Sequence, residues 1–254
     1  MQKNKLYIVP DEHCRGLYKP LLNVKDAPIV FLGDYMDPYS YEGHTDEEGI
    51  ENLKEIFEFA RTNNNVTLLA GNHDESFLWS FMGYERTSYK YYNELHKLYR
   101  DNVDLLHPYH IIDDLLFTHA GISNAWIYRV NDVCFYNSDF KVTPDNVLDY
   151  IGNEWENELK EEFAITRFGY GYLKSPIFWC GYDRGGDDPA GGPFWRDCYS
   201  DFDISDFKYK QIFGHSQGEE TGCIREFNVG ICLDSRAIFE YDFETKVISK
   251  ANLL

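Results

Sequence analysis

The sequence predicts an α/β fold, and three observations lead there. Six short apolar, β-branched runs recur along the 254 residues, with the near-continuous apolarity of strands buried on both faces. An amphipathic helical stretch separates the second run from the third, giving the strand–helix–strand alternation of such folds. Five of the runs also end abruptly in polar residues, as strands do where they leave a sheet.

Taken in order, "LYIV" (6–9) and "IVFLG" (29–33) are the first two strands. In "HTDEEGIENLKEIFEFART" the residues Ile50, Leu53, Phe57 and Ala60 share one helical face. Thr45 and Glu48 form a capping box at its start. "VTLLAG" (66–71) is the third strand, and residues 76–110 turn rich in Tyr and Phe, with helical texture around 89–100. "LLFTH" (115–119) follows. A second helix is expected from Thr143, with Pro144 at its first position, because Val147, Ile151, Trp155 and Leu159 repeat every four residues. A Gly/Pro-rich loop (181–197) precedes "KQIFGH" (210–215) and "VGICLD" (229–234). The chain reads as one domain, 1–254, with insertions at about 76–110 and 122–200.

There are 24 lysines and arginines against 43 aspartates and glutamates, a formal charge of −19. That balance argues against long nucleic acid and anionic membrane as partners. It also means that an anionic substrate needs local positive charge, which bound metal cations would supply. No signal peptide and no apolar run of membrane-spanning length is seen. The six cysteines are scattered without a CxxC pair, so reduced thiols in a cytoplasmic protein are expected.

The chemistry lies at the strand exits. "LYIV" leads to Asp11 and His13, and "IVFLG" to Asp34 and Asp37. "VTLLAG" leads to Asn72, His73 and Asp74, "LLFT" to His119, and "QIFG" to His215. Each alone is an ordinary loop residue. Together they place half of the eight histidines where α/β sheets bind ligands, and imidazole, carboxylate and amide without thiolate suit Mn²⁺, Fe or Zn²⁺.

"PDEH", "GDYMD", "GNHD", "THAG" and "FGHS" resemble, in order and spacing, the motif set of the calcineurin-like metallophosphoesterases. The resemblance implies a four-layer α-β-β-α sandwich of two mixed sheets flanked by helices. It implies two divalent metal ions, most simply Mn²⁺, with Fe, Zn²⁺ or Ni²⁺ as alternatives. Asp11 and His13 would bind the first ion, Asn72, His119 and His215 the second, and Asp34 both. Such a pair lowers the pKa of a shared water, whose hydroxide attacks phosphorus in line. His73 would protonate the leaving oxygen, with Asp37 orienting its ring and keeping it protonated.

The match departs in three places. "GHSQ" has Gln217 where many relatives carry a second histidine, which points to the branch of serine/threonine phosphoprotein phosphatases and symmetrical diadenosine tetraphosphatases. That branch reads GDxxDRG, but here Pro38 follows Asp37, so the arginine that grips phosphate is missing. Arg184 and Arg196 are the replacements considered, beside Asn72. Cys14 stands where DxHG has glycine and reads as a small buried filler. The expected function is a phosphomonoesterase or protein phosphatase, acting on a phosphorylated small molecule or a phosphoprotein. Cleavage of dinucleoside polyphosphates or phosphodiesters is the alternative within enzymes. A non-catalytic metal-binding scaffold is the alternative of another class, against which the intact set of six ligands, His73 and Asp37 speaks.

Overall fold

The computed structural model describes residues 4–79, 86–160, 175–199, 207–228 and 230–253. Parts of both expected insertions (80–85 and 161–174) lie outside the described residues. Two mixed sheets form the centre. In the first, β1 (Lys5–Val9), β2 (Ile29–Phe31), β3 (Val66–Leu69) and β4 (Leu106–His107) run parallel. On the other side of β1, β10 (Phe239–Asp242) pairs antiparallel, followed by β11 (Val247–Lys250). In the second sheet β6 (Leu115–Thr118), β7 (Lys210–Phe213) and β9 (Gly230–Cys232) are parallel. The antiparallel strands β5 (Tyr109–Ile112) and β8 (Arg225–Phe227) form its edges.

Alternation along the strands sorts the core into layers. Leu6, Ile8, Val30, Leu32 and Leu69 of the first sheet join Leu115, Phe117, Ile212 and Ile231 of the second in one buried cluster between the sheets. The intervening residues Tyr7, Val9, Ile29, Phe31 and Leu68 point the other way, into a second cluster. That cluster includes Ile50, Leu53, Ile56 and Phe57 of α1 (Asp46–Thr62). Leu116, on the outer side of the second sheet, belongs with Trp126 and Val130 of α4 (Asn124–Cys134) and Ile151 and Trp155 of α5 (Val147–Lys160). Helices therefore flank two packed sheets, as expected.

The α1 capping box forms as read, with Thr45 Oγ1 accepting from the Glu48 N–H and Glu48 accepting from the Thr45 N–H. The second helix starts later than its sequence suggests. Thr143–Asn146 makes a turn in which Asn146 Oδ1 accepts from the Thr143 N–H, and α5 begins at Val147. A competing side-chain turn displaces the proline start. The helical texture around 89–100 becomes a 3₁₀ turn (Tyr89–Tyr91) running into α3 (Tyr92–Asp101). A seven-residue helix, α2 (Asn72–Leu78), starts on the GNHD motif itself.

Parallel pairing carries the outcome that matters. The carboxyl ends of β1, β2 and β3 lie at one edge of their sheet, and those of β6, β7 and β9 at one edge of theirs.

Candidate metal centre

The loops leaving these strand ends bring the sequence-predicted ligands together. Asp11, His13 and Asp34 form one group and Asp34, His119 and His215 another, each with ligand atoms mutually within 4.8 Å. Asp34 belongs to both. His13 Nε2 and His119 Nε2 each lie 3.6 Å from Asp34 Oδ2. Asn72 completes the second group, its Oδ1 lying 2.9 Å from His119 Nε2 and 2.8 Å from His215 Nδ1.

The imidazoles are aimed by their other nitrogens. His119 Nδ1 donates to the Leu32 carbonyl at 2.7 Å, and His13 Nδ1 to the Met36 carbonyl at 2.9 Å. A carbonyl only accepts, so Nε2 of each ring is left with its lone pair facing Asp34, the tautomer a metal ligand needs. His215 Nε2 is buried with no hydrogen-bond partner among the described residues. Asn72 Oδ1, His119 Nε2 and His215 Nδ1 converge within 3.2 Å of one another, and a divalent cation resolves that crowding; the donor set fits one.

Electrostatics agree. Burial drives the imidazoles of His13 and His215 well below the usual histidine range and lowers that of His119, favouring the neutral, metal-binding form. Burial also pushes Asp11 up to about 6 and raises Asp34. His73 goes the other way. Burial opposes its charge, but the carboxylates of Asp34 and Asp37 outweigh burial and raise it. Its Nδ1 meets Asp37 Oδ2 at 2.8 Å, and Asp37 is fully buried.

The backbone gives way to make this geometry. His13, Asp34, Asp37 and His215 all sit at positive φ, between 39° and 65°, a region L-residues enter at a cost. A side chain at Gly71 would collide with Asp34 Oδ1, and one at Gly214 with Asp11 Oδ1.

Asp74 enters the sequence reading only as part of its motif, and the fold gives it a larger role. Fully buried, it accepts from the N–H groups of Asp34 (2.9 Å), Gly71 (2.7 Å) and Tyr35 (3.2 Å), and from the Tyr99 hydroxyl (2.5 Å). It ties the β2 and β3 exits together. Glu12 does similar work beside Asp11, accepting from the N–H groups of Leu17 and Tyr18, both at 3.1 Å. Cys14 is buried against Gly49, and burial raises its thiol, in keeping with a filler. Gln217 Oε1 accepts from the Tyr41 hydroxyl at 3.1 Å.

Of the arginines read from the sequence, Arg184 pairs with Asp197 at 2.8 Å and donates to Ser216, next to His215. Arg196 is wholly buried, its guanidinium carbon 5.5 Å from the centre of the Phe213 ring. Sequence reading misses Arg86. Its Nη2 lies 3.0 Å from His73 Nε2 and its Nη1 donates to the Asp37 carbonyl at 2.7 Å. No motif surrounds Arg86; only the fold brings it to the site.

Known proteins agree with this architecture. The family model for calcineurin-like phosphoesterases matches residues 6–218. A cold-active protein-tyrosine phosphatase of a psychrophilic Shewanella is a structural neighbour at TM-score 0.52 and 19% identity, over 94% of this chain and 75% of its own. A point mutant of a cold-active protein tyrosine phosphatase aligns at TM-score 0.57 and 18% identity, covering 98% of this chain and 80% of its own. A protein serine/threonine phosphatase from Saccharomyces cerevisiae gives TM-score 0.51 at 16% identity, covering 95% and 74%. No curated protein sequence matches. At such identities the neighbours establish the fold, and the family model spanning most of the chain establishes more: the chain belongs to the calcineurin-like phosphoesterases and is a hydrolase of phosphoric esters.

Proposed function

We propose that the chain is a dinuclear-metal phosphomonoesterase whose substrate is a phosphorylated small molecule or a phosphoprotein. The observation that carries this reading is the sharing of Asp34 by two ligand groups, which suits a close pair of cations. Asp11 and His13 hold one, Asn72, His119 and His215 the other. Two divalent ions so held, Mn²⁺ being well suited to these donors, supply positive charge for the phosphate and acidify water for attack.

The chain's own groups do the rest. His73, whose basicity the carboxylates of Asp34 and Asp37 raise, delivers a proton to the departing oxygen, a contribution of about 10²–10⁴-fold. Asp37 holds the Nδ1 side so that the other nitrogen faces substrate. Of the groups read from the sequence for substrate phosphate, Asn72 lies among the ligands, whereas Arg184 is held by Asp197 and Ser216 and Arg196 is wholly buried. These structural neighbours are protein phosphatases, which supports a monoester over a diester. All six cysteines are free, which supports a reducing, cytoplasmic setting. No helix among the described residues is long and apolar enough to cross a membrane.

The test is hydrolysis of p-nitrophenyl phosphate and bis-p-nitrophenyl phosphate by Mn²⁺-reconstituted protein, with His73→Asn alongside. Expected is metal-dependent monoester turnover that drops about 10²–10⁴-fold in the variant while both ions stay bound. A diester preference would replace the monoester reading. No turnover of either by protein holding two ions would favour the scaffold.

A further inference from the structure

We propose that Arg86 is the residue that grips the substrate phosphate, entering from outside the motif that lacks its arginine; this rests on the phosphoesterase reading above. Pro38 follows Asp37 directly, so no arginine can reach the site from there. Arg86 brings a guanidinium to the same place by another route. Nη1 donates to the carbonyl of Asp37 at 2.7 Å, and Nη2 lies 3.0 Å from Nε2 of His73. The guanidinium carbon sits 3.8 Å from the centre of the Tyr39 ring, and the same ring packs edge-on against His13 at 5.0 Å. A cation held over an aromatic face and anchored at one nitrogen has its orientation set in advance.

Its placement fits an anion better than a structural brace. His73 Nε2 is the nitrogen left to face substrate once Nδ1 is bound to Asp37, and Arg86 stands on it. The backbone N–H of His73 donates to Asp34 Oδ1 at 2.9 Å, so guanidinium and shared carboxylate meet at one residue. A guanidinium has five N–H donors in a fork that matches oxyanions, and the two contacts leave most of them for a phosphate. In a chain of net charge −19, a fixed cation at this point offsets repulsion of an anionic substrate. Arg184 and Arg196 lack this placement. One is held by Asp197 and Ser216, and the other is buried beneath Gly121 against Phe213.

The experiment measures binding of inorganic phosphate by calorimetry to Mn²⁺-loaded wild type, Arg86→Gln and Arg86→Lys, with metal content determined on each. Arg86→Gln is expected to keep both ions and bind phosphate about 10- to 100-fold more weakly. Arg86→Lys, which keeps the charge but not the fork, should fall between. KM for a monoester should rise with the phosphate dissociation constant. Phosphate affinity within twofold of wild type in folded, metal-loaded Arg86→Gln overturns the assignment. If Arg86→Gln does not fold, unchanged affinity in Arg86→Lys overturns it instead. Wild type that holds two ions and binds no phosphate would sink both this assignment and the dinuclear phosphomonoesterase reading on which it rests.

Discussion

The two halves of the candidate metal centre are built unequally. Around Asn72, three ligand atoms from β3, β6 and β7 exits crowd within 3.2 Å of one another, and Asp34 adds a fourth donor. Around His13 there are three, with Gln217 tied to Tyr41 in the place where many relatives add a histidine. Their supports differ too. Asp74 clamps two backbone segments through three N–H groups on the crowded side, whereas Glu12 mainly closes its own loop onto Leu17 and Tyr18. Donor number and rigidity set metal affinity, so the crowded half should fill first and hold its ion longer.

The largest effect expected from this asymmetry is in a paired substitution. His119→Ala should cost metal affinity at the crowded half well beyond the roughly 10–100-fold typical of losing an outer hydrogen-bond partner. His13→Ala should leave one tightly held ion per chain. Metal stoichiometry after dialysis against a weak chelator checks both, and equal retention in the two variants would erase the distinction. Next in size is Asp74→Asn, which removes a charge-assisted acceptor from Asp34, Tyr35 and Gly71. Metal affinity is expected to drop about 10–100-fold with the fold retained, read by competition with a chromophoric chelator.

The smallest effect on metal retention concerns Glu12, whose burial pushes its carboxyl up to about 7. Unfolded, it releases its proton at a lower pH than it does folded. Stability of the metal-free protein should therefore decline as pH rises from about 4.5 to about 7 and level off above, by an amount on the order of 3 kcal/mol for this group. Glu12→Gln should flatten that decline, measured as thermal midpoint against pH, while changing metal retention little. An unchanged slope would show that Glu12 is ionised throughout.

Legibility followed the same divide between local and assembled features. Of the seven strands with a neighbour on each side, six were readable because burial on both faces makes them continuously apolar. The edge strands β5, β8 and β11, and β10 beside β11, were not; "YHII", "REF", "VISK" and "FEYD" mix polar and apolar residues as strands with one open face do. β4 is only two residues long. α2 escaped because its first turn is spent on Asn72 and His73 rather than on an apolar face. The ligand residues could be read because each lies within a few positions of a strand end. Arg86 could not, since its link to Asp37 and His73 exists only after the chain returns from α2.

The left-handed backbone at His13, Asp34, Asp37 and His215 has an evolutionary consequence. Each costs about 1–3 kcal/mol against a relaxed alternative, and glycine at any of the four would relieve it. Selection for thermostability alone would therefore drift toward chains that fold better and catalyse nothing. A laboratory evolution campaign that screens stability without activity should lose the candidate centre first at these four positions.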